Sequence, residues 1–276
     1  MQSYAGKTAL VTGGSRGVGF ATAAELARRG ANVVITARGG SRLESSRAKL
    51  EAAGAHVAAV SGDVADWRDA ERMVQTALSR FGGLDILVNN AGVSMRGQFR
   101  ELTPETCAQV INTNLLGSVY LTRAAVEPIV AARGSVVFIS SIAGLFGLPG
   151  ASVYCASKGA LAGLAESLRL ELGPLGVHVG VVNLGYTEHD PEKRILAADG
   201  TPELPGRPGH QTQAEAAKQI VALIERRSRQ AVLTPIGKLG GTAYRLSPGF
   251  VEWAIGRAQA SELPMFKQFY GDKGGK

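Results

Sequence analysis

The sequence predicts an α/β fold, a doubly wound parallel sheet of about seven strands with helices on both faces. Two observations carry that prediction. Short apolar runs rich in β-branched residues recur as far as about residue 235, separated by segments long enough to be helices. The first run also leads straight into a glycine-rich turn, TGGSRGVG at 12–19.

The first strand is placed near 8–12 (TALVT), and the helix after the turn covers FATAAELARRG. Strands follow near 32–37 (NVVITA), 55–60 (AHVAAV), 84–89 (LDILVN), 134–140 (GSVVFIS), 177–183 (VHVGVVN) and 230–233 (QAVL). Near-continuous apolar runs, rather than alternating ones, are what strands covered on both faces require. Helices fill the intervals, the longest over 104–132 and 152–173. The 276 residues, 45% of them hydrophobic, suffice for one large core, and no linker divides them, so one domain over 1–276 is expected.

The segment from strand through glycine turn and helix to a second strand is half of a Rossmann-type dinucleotide fold. Gly13, Gly17 and Gly19 stand where a side chain would block the tight turn, the approach of a pyrophosphate, or the packing of helix on sheet. The free N–H groups of the following helix attract phosphate, and Ser15, Arg16 and Val18 lie in the same loop. A glycine-rich turn without a ligand is the plainer alternative.

Tyr154 and Lys158 are one helical turn apart in VYCASKGALAGLAESLRLEL, and Ser141 lies thirteen residues before Tyr154. An ammonium one turn along a helix stabilises a phenolate and lowers the phenol's pKa, so the pair makes a proton donor. A serine hydroxyl can hold a carbonyl or alcohol oxygen against it. Ser140 competes with Ser141 for that task, and a strand-end cap is the bland alternative for Ser141. Alone, Y-x-x-x-K is a weak pattern.

Together these residues resemble the short-chain dehydrogenase/reductase family over about residues 5–235. TGGSRGVG is similar to its cofactor loop, and Asn89 to Gly92 (NNAG) to its sheet-stabilising segment. Asn114 in NTNLLG matches a catalytic asparagine, and Ser141, Tyr154 and Lys158 complete a tetrad. The resemblance implies that Asp63 and Val64 hold an adenine ring, that Asn90, Ala91, Gly92, Gly185 and Thr187 line the cofactor, and that Tyr154 and Lys158 contact it too. It further implies that Asn114 holds a kink in its helix and a water leading to Lys158. Homodimers or homotetramers built on the two long helical segments are expected from it.

Cofactor choice is argued from charge. An enzyme using NAD carries an acid at the end of the second strand, where this chain has Ala37 followed by Arg38. Arg38 and Arg16, with Ser15 and Ser41 as hydroxyl donors, favour the 2′-phosphate of NADP(H), each charge-assisted bond being worth about 1.5–3 kcal/mol. Solvated arginines on a basic surface are the alternative.

The chain leaves the family pattern after residue 183. Leu184 replaces the usual proline before Gly185, which implies a less constrained loop. Residues 186–212 are long enough for a substrate lid, with Tyr186, His189 and Ile195 as candidate lining. The 236–276 extension carries Tyr244, Leu246, Phe250, Val251, Trp253, Ala254 and Ile255 with basic residues nearby, the makings of a pocket cap, a subunit contact or a peripheral membrane contact. Lid and tail together resemble a branch of the family that includes membrane-associated lipid and steroid ketone reductases, and that resemblance implies an apolar substrate.

The net charge of +7 is spread along the chain apart from ERRSR at 225–229, read as a charged helix end, so no nucleic-acid partner is expected. Cys107 and Cys155 show no pairing signature, and no His/Cys/carboxylate cluster has metal-ligand spacing. With no eighteen-residue apolar run and no leader pattern, a cytoplasmic protein is expected. The reading is an NADP(H)-dependent oxidoreductase, a carbonyl reductase or alcohol dehydrogenase, with a small-molecule carbonyl or alcohol as substrate. The alternative is a non-catalytic NADP(H)-binding scaffold or sensor, which would have no need of a proton relay. A nucleotide-sugar epimerase or dehydratase would need a larger C-terminal domain.

Overall fold

A computed structural model describes residues 4–188, 190, 192–205 and 211–260. The expected strands form as β1 (Thr8–Thr12), β2 (Asn32–Ala37), β3 (Val57–Ser61), β4 (Ile86–Asn89), β5 (Ser135–Ser141) and β6 (His178–Leu184). A short hairpin, β7 (Ile195–Leu196) and β8 (Pro202–Glu203), precedes the last of them, β9 (Gln230–Val232). The seven-stranded sheet has the order β3-β2-β1-β4-β5-β6-β9, and every neighbouring pair is parallel. The chain therefore winds outward first to one side of β1 and then to the other. The crevice between the C-terminal ends of β1 and β4 is the switch point where such sheets bind ligands.

Helices α1 (Gly17–Arg28), α2 (Gly40–Ala52) and α3 (Trp67–Phe81) connect the first four strands. Then come α4 (Pro104–Ile111), α5 (Gly117–Ala131), α6 (Ser152–Leu172), α7 (Gln213–Glu225), α8 (Pro235–Leu246) and α9 (Pro248–Ala260). Successive strand residues face opposite ways. Val11, Val33 and Val137 join a core with α1, α2 and α7, while Leu10, Val34 and Val136 join one with α3, α5 and α6. Leu10 and Val11 are both fully buried, and each such burial contributes roughly 1.5–3 kcal/mol.

The segment 104–132, expected as a helix kinked at Asn114, runs without a gap from α4 into α5. A π-helical turn, Asn112–Leu116, joins α4 to α5. Asn114 is fully buried at its centre. Its side chain bonds outside the helix, so the backbone there relaxes to the wider turn.

The charged run at 225–229 is a helix end, as expected. Glu225 closes α7 and pairs with Arg29, while the Arg227 guanidinium donates to the carbonyls of Arg133 and Gly176.

Candidate active site

The glycine loop leaves β1 and enters α1. Gly13 (φ +63°) and Gly17 (φ +60°) both adopt left-handed backbone, which favours glycine. A Cβ on Gly19 would lie 2.3 Å from the Gly13 carbonyl oxygen and 2.3 Å from Asn90 Nδ2, so the helix could not seat on the turn. A Cβ on Gly17 would meet nothing within 4 Å. The loop is thus open on one side, toward the α1 N-terminus, which has no side-chain cap and no acid in its first turn. That cradle fits a dinucleotide pyrophosphate.

Asn90 ties β4 to this loop. Its Nδ2 donates to the Thr12 carbonyl at 2.8 Å, and the Asn90 and Ala91 N–H groups both donate to Thr12 Oγ1 at 2.9 Å. Asn89 reaches the other way, to Thr122 Oγ1 at 3.0 Å. A Cβ on Gly92 would lie 3.1 Å from Asn114 Oδ1 and 3.3 Å from Lys158 Nζ, so the backbone passes directly over that pair. Across the sheet, Asp63 accepts from the Ala65 N–H at 3.0 Å. The Val64 side chain is buried against Gly117.

Asn114, Ser141, Tyr154 and Lys158 come together at the ends of β4 and β5. Asn114 Oδ1 accepts from the Val93 N–H at 2.7 Å, and its Nδ2 donates to the Val93 carbonyl (2.9 Å) and Ser157 Oγ (3.0 Å). Ser157 in turn donates to the Tyr154 carbonyl at 2.8 Å. The amide donors of Asn114 are thus spent on protein, and one lone pair of Oδ1 remains for any water.

The adjacent serines separate by strand alternation. Ser140 is buried and donates to the Lys158 carbonyl at 2.8 Å, whereas Ser141 Oγ caps the following turn by accepting from the Ala143 N–H at 3.2 Å and acts on the Tyr154 phenol, lowering its pKa. Ser94, which the sequence did not mark, acts on the same phenol in the same direction.

One expectation is corrected here. Tyr154 is half-buried as a residue with its phenol end enclosed, and burial raises its pKa, only partly countered by the bonds from Ser141 and Ser94. Lys158 is not among the groups that shift it. Its ammonium instead donates to the Ile139 carbonyl at 2.9 Å. Burial first, and the nearby Lys193 ammonium second, lower the Lys158 pKa to about 8. Desolvation therefore outweighs the one-turn spacing that the sequence argument relied on.

Tyr154 packs with Val93, Leu102 and Val153 against a small apolar cluster of Met95, Val110 and Leu196. Ile195 is buried beside Leu196, and Tyr186 is half-buried at the lid's start. His189, the third candidate lining residue, lies outside the described residues, as do parts of the 186–212 lid and residues 261–276.

Leu184 ends β6 paired with Ser141, and a Cβ on Gly185 would fall 2.3 Å from Thr234 Cγ2, so the start of the lid is confined despite the missing proline. Thr187 is bridged to Gln211. Arg38 is exposed at the end of β2, Ser41 is exposed in the first turn of α2, and Ser15 accepts at its carbonyl from Ser46 Oγ at 2.8 Å. Arg16 Nη1 donates to the Glu192 carbonyl of the lid at 2.9 Å.

The C-terminal extension covers the loop after Ser141. Gly237, Gly240 and Gly241 of α8 pack against Ile142, Phe146 and Leu145, and Tyr244 lies 6.2 Å from the Phe146 ring. The outward faces of α8 and α9 expose Ile236, Leu239, Leu246, Phe250 and Trp253. Among the described residues, no helix is long and apolar enough to cross a membrane.

Known proteins are similar to this chain in sequence and fold. An 11-beta-hydroxysteroid dehydrogenase-like 4A protein of Arabidopsis thaliana is 39% identical over 191 residues, which are 67% of this chain and 64% of that protein, so the match spans a little under two thirds of the relative's length. A short-chain dehydrogenase/reductase of Burkholderia phymatum, solved in complex with NAD, superimposes with a TM-score of 0.78 at 25% identity, covering 89% of this chain and 96% of that one. An alcohol dehydrogenase of Thermococcus sibiricus, solved with 5-hydroxy-NADP, gives 0.72 at 26% identity, covering 82% and 95%. The short chain dehydrogenase family model matches residues 7–199, from the start of β1 through the glycine loop, the NNAG segment and the whole tetrad. The chain belongs to the short-chain dehydrogenase/reductase family of oxidoreductases.

Proposed function

We propose that this chain is an NADP(H)-dependent carbonyl reductase or alcohol dehydrogenase acting on an apolar ketone or secondary alcohol. The observation that carries the reading is the Tyr154 phenol enclosed with Ser141 and Ser94 at one end of an apolar cluster, beside a dinucleotide cradle. The nicotinamide of the bound cofactor supplies the hydride. Tyr154 supplies or accepts the proton at the substrate oxygen, and Ser141 orients that oxygen. Lys158 Nζ lies beneath Gly92 and would bond the nicotinamide ribose, and Asn114 fixes the Val93 backbone and the Tyr154 turn through Ser157.

The cradle is held by Gly13, Gly17, Gly19 and Asn90, with Asp63 toward the adenine. Arg38 follows Ala37, the position that an acid occupies in NAD enzymes, and Arg16 stands in the glycine loop, two cations that favour the 2′-phosphate. An apolar substrate is supported by Met95, Val153 and Leu196 around the phenol and by α8 over the loop after Ser141. The hydroxysteroid named for the plant relative is of that class. The exposed apolar row of α8 and α9, with Lys238, Arg245 and Arg257, supports a peripheral contact with an anionic lipid surface, and a homodimer through α5 and α6 follows family practice. The test is NADPH oxidation against a panel of steroid ketones, long-chain ketones, 3-oxoacyl thioesters and aromatic aldehydes, with NADH in parallel. Turnover of an apolar ketone with NADPH supports the reading. Equal rates with NADH, or turnover of polar carbonyls only, contradict it.

A further inference from the structure

Four groups meet where the lid crosses the open edge of the glycine loop. Arg42, in the first turn of α2, places Nη1 3.3 Å from Asp190 Oδ2, and its Nη2 pairs with the Glu192 carboxylate. Arg16 from the glycine loop donates to the Glu192 carbonyl at 2.9 Å. Two guanidiniums from different elements thus converge on one lid residue. Asp190 is doubly engaged. Its Oδ1 accepts from the Glu192 N–H at 2.8 Å while Oδ2 faces Arg42, so one carboxylate both folds the strap and aims it. α2 is itself keyed to the glycine loop, because Ser46 Oγ donates to the Ser15 carbonyl at 2.8 Å.

The two lid acids carry two negative charges, close to the charge of a phosphate monoester at neutral pH. Both carboxylates pair with Arg42, while Arg16, a candidate 2′-phosphate ligand, holds the backbone carbonyl of the same Glu192. We infer that Arg42 is a further 2′-phosphate ligand and specificity determinant, and that Asp190 and Glu192 are an internal stand-in for that phosphate, displaced when the cofactor binds. The inference rests on the NADP(H) reading.

Displacement need not free the whole lid. Farther along, the Leu196 N–H donates to the Ser94 carbonyl at 2.9 Å and its carbonyl accepts from the Arg96 N–H at 2.8 Å, so the strap is anchored independently beside the phenol. Only Asp190 and Glu192 have to shift. Competition of this kind weakens the apparent affinity for a 2′-phosphate and leaves nucleotides without one unaffected.

The experiment is calorimetric titration of the whole chain with adenosine 2′,5′-bisphosphate and with 5′-AMP. Wild type is expected to prefer the bisphosphate. Asp190→Asn with Glu192→Gln, which keeps size and removes charge, is expected to tighten the bisphosphate by roughly three- to tenfold and to change 5′-AMP by less than twofold. Arg42→Ala is expected to weaken the bisphosphate alone. Unchanged or weaker bisphosphate binding in the double amide variant overturns the inference while leaving the NADP(H) reading in place. A wild type with no preference for the bisphosphate overturns both.

Discussion

Asn114→Ala tests the claim that a single amide holds the π turn and the site behind it. The substitution removes three hydrogen bonds, to the Val93 N–H, the Val93 carbonyl and Ser157 Oγ. Ser157 keeps the Tyr154 carbonyl as its acceptor and loses little. The two Val93 backbone groups are left without protein partners in a part-buried setting, at about 1–2 kcal/mol each. Alanine returns roughly 0.5 kcal/mol as the better helix former. The net loss is about 2–3 kcal/mol, or a fall in Tm of about 5–10 °C at the 2–4 °C per kcal/mol of a chain near this size. Differential scanning fluorimetry measures it, with Arg123→Ala on the exposed face of α5 as the control. An Asn114→Ala variant melting within about 1 °C of that control would refute the reasoning.

The buried Lys158 predicts a pH dependence. Its folded pKa of about 8 lies below that of an exposed lysine, so between the two values the unfolded chain binds more protons and stability rises with pH. The penalty is full below pH 8, at roughly 3 kcal/mol, and fades toward pH 10. Urea unfolding at pH 7.5 and 9.5 should show this rise in wild type and lose it in Lys158→Met; parallel profiles would count against it. Ala37→Asp with Arg38→Ala should move cofactor preference toward NADH by tenfold or more, as one lost charge-assisted bond and one added repulsion require; an unchanged NADPH/NADH ratio of kcat/KM would remove Arg38 from the phosphate site. Phe250→Ser with Trp253→Ser should abolish sedimentation with phosphatidylserine vesicles while leaving soluble turnover intact, and equal sedimentation would exclude the α9 face as the contact.

The sheet was legible because parallel strands covered on both faces read as uninterrupted apolar runs, and Val11, Val33 and Val137 need no partner knowledge to be placed inside. The glycine positions were legible for a related reason, since turn and close approach each exclude a side chain. Other features depend on which neighbour a side chain finds. Nothing in NTNLLG says whether Asn114 bonds its own turn or Val93, and that choice makes the π turn. The thirteen-residue offset to Tyr154 favours Ser141 over Ser140, and strand alternation supplies the reason, turning Ser140 to the Lys158 carbonyl and Ser141 to the phenol side. The direction of the phenol's pKa shift is not legible in the sequence, because helical spacing fixes where Lys158 starts but not where its four-carbon stem ends, here at Ile139. Arg42 and Asp190 meet across 148 residues, a contact that no local pattern announces.

Tyr154→Phe, with cofactor affinity and turnover measured on the same preparation, is the decisive comparison. If the phenol is the proton donor, fluorescence titration gives an NADPH Kd within about twofold of wild type, while ketone reduction falls by a factor on the order of 10²–10⁴. Turnover that survives with tight cofactor binding would contradict the assignment of Tyr154 and the chemistry built on it.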